Sequence, residues 1–295
     1  MKICITGGAG FVGSNIAGRL KGDHQVTIVD DLSFGSIENT HAGVHNKIRG
    51  FETLDKLDHY DLLIHCACAN IIYAQDHIIE TFKINTQYTI ELFKRFKGPI
   101  IYTSTASVYG QADMFPTPEM APQKTYNAYD QSKYAAELAL QIRGNYTTLR
   151  LSNVYGINQR PDNPYSGVIS KFIDAAIKGE PMQIYGDGHD TRDYTYITDV
   201  VDAVEQIIKH GPYNDTFNIS GGEEVSSEQL AAYICFLMDK PMLVEYVERR
   251  GIDAITRRWL DSRKAKKIIS WEPSVKLKYG LKNTIEWIKN NFYLD

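Results

Sequence analysis

The stretch ICITGGAGFVG, residues 3–13, decides the fold class of this chain. Its first residues are apolar, as in a buried strand, and they run into a glycine-rich turn and then a helical pattern. Glycine lets the backbone turn tightly and approach a phosphate group, while the start of the next helix offers free N–H groups and a partial positive charge. A strand, such a turn and a helix in this order predict a dinucleotide-binding site. The residues of this stretch that we assign to the site are Gly7, Gly10, Phe11, Val12 and Gly13.

Asp30 stands at the end of the second predicted strand. An acidic side chain about 20 residues beyond the glycine turn bonds the ribose hydroxyls of a bound dinucleotide. A carboxylate at this point also repels the 2′-phosphate of NADP, because both groups are negatively charged. We therefore expect the cofactor to be NAD.

Short apolar runs alternate with amphipathic helical patterns through the first half of the chain. The predicted strands are residues 3–6, 26–29, 62–66, 100–103 and 147–151, and the predicted helices are residues 14–20, 79–96 and 126–142. Apolar strands that alternate with helices indicate a parallel sheet covered on both faces. We predict the α/β class, with a doubly wound Rossmann sheet and a smaller mixed α/β lobe at the C-terminal end.

The pattern loosens after residue 156. Residues 158–166 have the composition of a loop, and residues 216–219 resemble a strand that returns to the main sheet. The other predicted elements are helices at residues 168–178, 227–238 and 278–290 and a short strand at residues 183–185. We predict an NAD-binding domain over residues 1–156, with a returning segment at about 193–220, and a substrate-binding lobe over residues 157–295.

Composition argues against several classes of protein. The chain has 295 residues, a formal net charge of −4 and no basic stripe, so nothing in its charge favours nucleic-acid binding. No apolar run approaches the ~20 residues that span a bilayer, and the first residues lead directly into a strand rather than a signal peptide. We expect no membrane association, no metal site and a reducing cytoplasmic location, since the four cysteines show no CxxC spacing: Cys4, Cys66, Cys68 and Cys235.

Tyr129 and Lys133 form a YxxxK pair, which places a phenol and an ammonium group one helical turn apart on the same face. A phenol with a pKa of ~10 is a poor base at neutral pH because it is almost fully protonated. A nearby ammonium and an oxidised nicotinamide both favour the phenolate, so we expect them to lower the pKa of Tyr129. Tyr126 lacks a lysine four residues further on and is the weaker candidate. Together with the glycine turn, this pair indicates hydride-transfer chemistry.

With the hydroxyl-rich segment TSTASVYG, residues 103–110, the chain resembles the extended short-chain dehydrogenase/reductase superfamily. Within it, the chain resembles in particular the NAD-dependent nucleotide-sugar epimerases and dehydratases of the UDP-glucose 4-epimerase type. The resemblance runs nearly end to end, through TGGAGFVG (6–13), YDQSK (129–133), LRLSNVYG (149–156) and RDYTYITDV (192–200). Two departures are Phe51 and Glu52 after Gly50, where the family often has an Asp that reads adenine, and Asp130 in place of a common glycine.

The resemblance implies roles for individual residues. Thr105 would hydrogen-bond the sugar oxygen, Tyr129 would be the catalytic base, and Lys133 would contact the nicotinamide ribose while tuning Tyr129. Further residues implied on the cofactor side are Asp31, Leu32, Cys66, Ala67 and Asn85.

On the substrate side the resemblance implies that Asn153 and Arg192 meet the diphosphate of a nucleotide sugar, most readily a UDP-sugar. Gln183 and Tyr185 would lie along the base. An RxxD motif adds Arg250 for the diphosphate and Asp253 for the ribose, with Arg249 as a competing assignment.

The residues after Thr105 bear on the reaction. Sugar dehydratases of this superfamily place Asp-Glu there and decarboxylases usually keep the Glu, whereas this chain has Ala106 and Ser107, which cannot act as that carboxyl acid or base. We therefore expect a 4-epimerase that inverts C4 of a nucleotide-linked hexose through a 4-keto intermediate. The alternatives are a net NAD(P)-dependent oxidoreductase such as a 4-ketosugar reductase, and a non-catalytic dinucleotide-binding protein. The resemblance also implies a homodimer, formed through the helices predicted at 79–96 and 126–142.

Overall fold

The computed structural model describes residues 1–251 and 254–293. The strands are β1 (Lys2–Thr6), β2 (Gln25–Asp30), β3 (His45–Ile48), β4 (Leu62–His65), β5 (Ile100–Thr105), β6 (Tyr146–Leu151), β7 (Asn153–Tyr155), β8 (Met182–Tyr185), β9 (Thr191–Tyr196), β10 (Asp215–Ile219), β11 (Glu224–Ser226), β12 (Val244–Val247) and β13 (Arg257–Arg258). The helices are α1 (Phe11–Leu20), α2 (Ile78–Phe82), α3 (Thr89–Arg95), α4 (Ala128–Arg143), α5 (Val168–Lys178), α6 (Ile197–His210), α7 (Ser227–Met238), α8 (Arg263–Ile269) and α9 (Leu277–Phe292). None of the helices in these ranges is long and apolar enough to cross a membrane.

Seven strands form the main sheet in the order β10-β6-β5-β4-β1-β2-β3, and every neighbouring pair is parallel. The inner strands are buried on both faces; all residues of β6, for example, are buried. Burial on both faces is expected in a parallel sheet, because the helices that connect its strands pack on both sides of it. This architecture confirms the predicted α/β Rossmann fold.

Strand β3 is an element that the apolar pattern did not predict. Its sequence HNKI is mostly exposed, and it pairs with β2 at the edge of the sheet. An edge strand needs little apolar surface, so its sequence carries a weak signal.

The helix predicted over residues 79–96 is divided in the structure. A π-helical turn, Lys83–Tyr88, separates α2 from α3 and contains the buried Asn85. Such a widened turn breaks the regular 3.6-residue spacing, which is why the apolar pattern alone predicts one continuous helix.

Beyond β6 the chain builds a second region and also returns to the main sheet. Strands β11, β9, β13 and β7 form one small sheet, while β8 and β12 form another. Helices α5, α7 and α9 pack against one another beside them. Strand β10 pairs with β6 at one edge of the main sheet, and α6 packs on α1, so both elements bring residues far apart in sequence together.

A buried ion pair fixes α4 against the sheet. The Arg150 guanidinium of β6 lies 2.7 Å from the Glu137 carboxylate of α4, and both side chains are at most 3% exposed. Arg150 also donates to the Tyr109 hydroxyl at 2.8 Å, which in turn donates to Asn218 of β10 at 2.7 Å. The network therefore holds in place the helix that carries Tyr129 and Lys133.

Candidate active site

The turn between β1 and α1 lies directly against the loop after β4. Gly7 has φ +71°, and a Cβ added there would lie 2.5 Å from the Ala67 nitrogen. A Cβ at Gly13 would lie 2.2 Å from the Gly7 carbonyl oxygen. Only glycine fits at either point, and no side chain of the described residues caps the start of α1. The first N–H groups of α1 are therefore available to an anion.

A cavity of about 550 Å³ opens beside this turn, and we name it the glycine-turn cavity. Its size is within the range of small-molecule sites. The predicted cofactor residues that line it are Gly7, Gly10, Phe11, Val12, Gly13, Asp30, Asp31, Cys66, Ala67 and Tyr129.

Asp30 is held rigidly at the end of β2. Its carboxylate accepts hydrogen bonds from the Ala9 nitrogen at 3.0 Å and from the Leu32 nitrogen at 2.8 Å. Burial raises the pKa of Asp30 above its usual value. Each carboxylate oxygen keeps a second lone pair, so Asp30 can still accept from a ligand hydroxyl. Leu32, with φ 64°, lies behind Asp30 and is not part of the cavity lining.

Two predicted cofactor residues lie behind the cavity wall. Asn85 is 1% exposed, accepts from the Ala69 nitrogen at 2.7 Å and donates to the Ala69 oxygen at 2.9 Å, and so clamps the loop after β4. The Lys133 ammonium is 2% exposed, donates to the Thr103 oxygen at 2.7 Å and lies 4.2 Å from the Tyr102 ring centroid. Asn85 and Lys133 therefore support the cavity wall from behind and do not form its surface.

The Thr105 hydroxyl acts on the Tyr129 phenol and favours its ionised form. Thr105 also caps the short helix Ala106–Tyr109 by accepting from the Ser107 nitrogen at 3.1 Å. Burial raises the pKa of Tyr129, with Arg258 as the cation that opposes this shift. The Lys133 ammonium donates to the Thr103 carbonyl. The expectation that Lys133 and an oxidised nicotinamide together lower the pKa of Tyr129 stays a prediction, because it concerns the site with its cofactor bound.

Asp130 is an acidic residue that directly follows Tyr129 in the chain. Its Oδ2 accepts from the Tyr126 nitrogen at 3.4 Å, and its Oδ1 is buried without a hydrogen-bond partner among the described residues. Burial raises the pKa of Asp130 to about 6. Asp130 is 1% exposed, however, and forms no part of the lining of the glycine-turn cavity. The one sequence signal was an acid in place of the common glycine after Tyr129.

A second cavity of about 760 Å³ adjoins the first, and we name it the arginine cavity after Arg192, Arg250 and Arg258 in its wall. Both cavities are lined in part by the loop after β7, including Gln159 and Tyr165. The predicted substrate residues that line the arginine cavity are Asn153, Gln183, Tyr185, Arg192 and Arg250. Thr105 lines neither cavity and reaches the site through Tyr129.

The structure separates the two competing arginines. The Arg250 guanidinium lies 4.0 Å from the centroid of the Tyr185 ring and lines the arginine cavity. Arg249 instead donates to the Asp190 carboxylate at 2.6 Å. Arg250 is thus the better placed of the pair, while Asp253 lies outside the described residues.

Arg192 and Asn153 are both bonded to the chain around them. Arg192 donates to the carbonyl oxygens of Ile255 at 2.8 Å and Thr191 at 2.9 Å. Asn153 donates to the Asp193 oxygen at 3.1 Å. These bonds hold the strands of the small sheet together at the cavity wall.

Arg258 is a residue of the site that the sequence did not single out. It belongs to β13, lines the arginine cavity and is partly buried. Its Nε is buried without a hydrogen-bond partner in the described part of the chain. Burial and the nearby Arg192 lower the pKa of Arg258 to about 10. In the segment TRRWLD nothing distinguishes it from the surface residue Arg257, so tertiary structure alone identifies it.

Comparison with known proteins places the chain in a family. Residues 3–220 match the model of the NAD dependent epimerase/dehydratase family. The UDP-glucose 4-epimerase of Mycolicibacterium smegmatis is 31% identical, over 98% of this chain and 99% of that protein. UDP-glucuronic acid decarboxylase 3 of Arabidopsis thaliana is also 31% identical, over 95% of this chain and 87% of that protein.

Among solved structures, the UDP-glucose 4-epimerase of Thermotoga maritima with UDP-glucose superposes with a TM-score of 0.92 and 30% identity, over 98% of this chain and 99% of that chain. Relatives that catalyse different reactions thus have about the same sequence identity to this chain, and each of those named here acts on a nucleotide sugar. The chain belongs to the NAD-dependent epimerase/dehydratase family, which confirms the resemblance and the predicted cofactor, NAD.

Proposed function

We propose that the protein is a nucleotide-sugar 4-epimerase that inverts C4 of a UDP-linked hexose through a transient 4-keto intermediate. The observation that carries this proposal is that Tyr129 lines the glycine-turn cavity, which shares the loop residues Gln159 and Tyr165 with the arginine cavity. A base in the first cavity can act on the sugar while the two adjoining cavities hold the cofactor and the nucleotide.

The residues around the glycine-turn cavity fit NAD. At Gly7 and Gly13 a Cβ would overlap neighbouring backbone, so the wall permits a close approach by a pyrophosphate at the start of α1. Asp30 can accept from a ribose hydroxyl. Glu52 also lines this cavity and supplies a carboxylate for the adenine amino group, which answers the missing Asp after Gly50. When bound, NAD accepts a hydride from the sugar and returns it.

Tyr129 would take the proton of the C4 hydroxyl and later return it. Thr105 and the Arg258 cation both favour the phenolate of Tyr129. The 4-keto sugar must turn over between the two hydride transfers. Arg192 and Arg250 in the arginine cavity would hold the diphosphate throughout, because binding energy far from the reacting carbon keeps the sugar in place while it rotates.

Epimerisation is favoured over dehydration and decarboxylation by the placement of carboxyl groups. Residues 106 and 107 carry none, and Asp130 is too deeply buried to touch a sugar. A second acid or base in contact with the sugar is needed to remove the C5 proton or to protonate C5 after loss of carbon dioxide. The described walls of both cavities therefore support transient oxidation at C4 better than either elimination.

The test is to incubate the protein and NAD with UDP-glucose, UDP-N-acetylglucosamine and UDP-glucuronate and to identify products by NMR. We expect C4-inverted products without net NADH, and a loss of kcat of roughly 1,000-fold in Tyr129→Phe. Tyr126→Phe is the matched control, since Tyr126 is 55% exposed and lies three residues earlier on the chain. Stoichiometric NADH turnover would instead identify a net oxidoreductase, and unchanged activity in Tyr129→Phe would remove Tyr129 as the base.

The proposed assembly is a homodimer through α2, α3 and α4. Helices α2 and α4 pack together and present a set of exposed apolar side chains: Ile78 56%, Ile79 67%, Leu138 42% and Ile142 89% exposed. Exposed apolar side chains grouped on adjacent helices favour association. Light scattering should give twice the mass of 33.4 kDa, and Ile142→Glu should give a monomer. A monomeric wild-type protein would overturn this part of the proposal.

A further inference from the structure

The chain after β7 returns to the loop that follows β2, and we name these segments the strap (residues 157–166) and the β2 loop (residues 31–39). Strand β7 directly follows β6, and in the main sheet β6 is separated from β2 by β5, β4 and β1. Four strand spacings amount to roughly 19 Å. On its way the strap passes the glycine turn, since Asn15 of α1 donates to the Ile157 oxygen at 3.1 Å.

Three contacts join the strap to the β2 loop. The Phe34 ring packs edge to face against the Tyr165 ring, with 5.1 Å between their centroids. The Asn163 side chain donates to the Phe34 oxygen at 3.1 Å. The Arg160 guanidinium forms an ion pair with the Glu38 carboxylate. A ring pair, a hydrogen bond and an ion pair therefore hold together two segments that come from different regions of the fold.

Phe34 lies at the centre of these contacts. Its half-buried ring also packs edge to face against Tyr73, which follows β4, with 5.2 Å between the centroids. Phe34 thus joins the segments that follow β2, β4 and β7, and each of these segments contributes residues to the lining of the glycine-turn cavity. An edge-to-face ring pair stabilises packing beyond the area that it buries, so Phe34 contributes to the closure of this cavity twice.

The β2 loop is itself bonded to the glycine turn. The Ser36 nitrogen donates to the Ala9 oxygen at 3.0 Å, and the Asn39 side chain donates to the same oxygen at 3.1 Å. The β2 loop therefore cannot move without disturbing the turn that receives the phosphates. Separation of the strap from the β2 loop is the less costly way to open the cavity.

We propose that the strap retains the cofactor through the whole catalytic cycle, and that the cofactor leaves only when the contacts of Phe34 and Arg160 break. This inference rests on the proposed function. In an epimerase the hydride taken from C4 must return from the same NADH, so loss of NADH after the first transfer leaves a 4-keto sugar. A net oxidoreductase must instead exchange its cofactor at every turnover. The contacts between the two segments favour retention.

The experiment measures the release of NADH from the NADH-loaded protein, followed by its fluorescence after addition of excess NAD. Wild type should release NADH more slowly than it turns over a UDP-sugar. Phe34→Ala loses both ring contacts and should release NADH roughly 10- to 50-fold faster. Phe34→Tyr keeps the ring and should stay within about 3-fold of wild type.

Two further variants separate the strap from a direct contact between Phe34 and the cofactor, because Tyr73 and Glu38 lie outside the lining of both cavities. Tyr73→Ala removes one ring contact of Phe34 and should speed release roughly 2- to 10-fold. Glu38→Gln removes the partner of Arg160. Since the Glu38 side chain is 65% exposed, we expect a smaller increase of roughly 2- to 5-fold.

Tyr213→Ala is the matched control. Tyr213 is also half-buried and packs edge to face against Phe217, with 5.6 Å between the centroids. It precedes β10, at the amino ends of the parallel strands and away from both cavities. The substitution should leave the release of NADH unchanged. Circular dichroism melting of every variant reports on folding separately from release.

A loosened strap should also damage catalysis in a recognisable way. When NADH escapes after the first transfer, the C4 hydride leaves with it, the hydroxyl proton stays with Tyr129, and the sugar is released as the oxidised 4-keto form. Phe34→Ala should therefore lose activity during turnover and regain it on addition of free NAD. Wild type should keep its activity without added NAD.

The inference is overturned if wild type releases NADH faster than it turns over, or if Phe34→Ala and Tyr73→Ala release NADH at the wild-type rate. A C4-inverted product in those experiments leaves the epimerase proposal standing. Faster release in Phe34→Ala alone, with Tyr73→Ala and Glu38→Gln unchanged, identifies a direct contact and also removes the strap. Slow release that depends on Phe34 and Tyr73, in a protein that inverts none of the three UDP-sugars, supports the strap and removes the epimerase.

Discussion

The walls of the two cavities are formed by different parts of the chain. One part of the wall of the glycine-turn cavity is formed by the glycine turn and the loop after β4, whose backbones touch at Gly7 and Ala67, and side chains such as Phe34 complete the wall. The arginine cavity is walled by long side chains from β7, β8, β9 and β13, which are separated by up to a hundred residues of chain. A backbone wall suits a ligand common to a whole family. A side-chain wall can change its specificity by single substitutions.

The largest effect is expected from a substitution in the buried ion pair, which would disturb both cavities at once. Glu137→Gln removes the partner of the buried Arg150 and loosens α4, so we expect the free energy of unfolding to fall by about 3–5 kcal/mol. Urea denaturation measures it. Glu205→Gln is the control, because its partner Arg19 is 59% exposed and such a surface pair contributes about 1 kcal/mol at most. Equal losses in the two variants would show that the network does not support the site.

The next effect should be confined to the glycine-turn cavity. In Gly13→Ala the new Cβ would overlap the Gly7 carbonyl oxygen, so the turn must move away from the phosphate position. We expect NAD binding to weaken by about 100-fold, as measured by calorimetry, with UDP binding unchanged. Gly22→Ala is the control, because a Cβ there meets no atom within 4 Å. Unchanged NAD affinity in Gly13→Ala would contradict a backbone-built cofactor wall.

A smaller effect should be confined to the arginine cavity. Arg250→Ala removes a cation and its stacking on Tyr185, so the KM for a UDP-sugar should rise by roughly 10-fold while NAD affinity stays constant. Arg249→Ala should change KM much less, since Arg249 is bonded to Asp190. Initial-rate kinetics with each variant provide the measurement. If Arg249→Ala proves the more damaging, the assignment of the two arginines must be reversed.

The smallest predicted effect is a pH dependence of stability that comes from Asp193, in strand β9 of the small sheet. Asp193 is buried between Ser220, Gly221 and Leu260, and burial raises its pKa to about 6. The native state therefore holds this proton more tightly than the unfolded chain, whose Asp has a pKa near 3.8. The contribution of Asp193 to stability is greatest below pH 3.8 and falls as the pH rises through 6.

Asp193→Asn abolishes this titration. Although the variant loses acceptors and is less stable overall, its deficit relative to wild type should shrink by on the order of 1 kcal/mol between pH 4 and pH 7. Denaturant midpoints across that range measure the change. A deficit that stays constant or grows with pH would mean that Asp193 is ionised at all these values.

Local sequence signals predicted more of the main sheet and its glycine turn than of the region that follows β6. The glycine turn, Asp30 and the alternating pattern predict the Rossmann sheet, because each depends on residues close together in the chain. They did not predict β3, whose exposed edge needs no apolar pattern, or the π-turn around Asn85, which spoils the helical period. The placement of Lys133 was also beyond the sequence, since YxxxK spacing sets the helix face but not the carbonyl that its ammonium meets.

The sequence by itself determined the parallel sheet, the dinucleotide turn and the family, because short motifs encode backbone geometry that needs no distant partner. Only the tertiary structure decided that Asp130 is buried, that Arg250 rather than Arg249 lines the arginine cavity, and that Arg258 lines it too. Those contacts join segments that fold together from far along the chain. Burial and charge at such places depend on the packed neighbours, and a linear pattern contains no record of which neighbours those are.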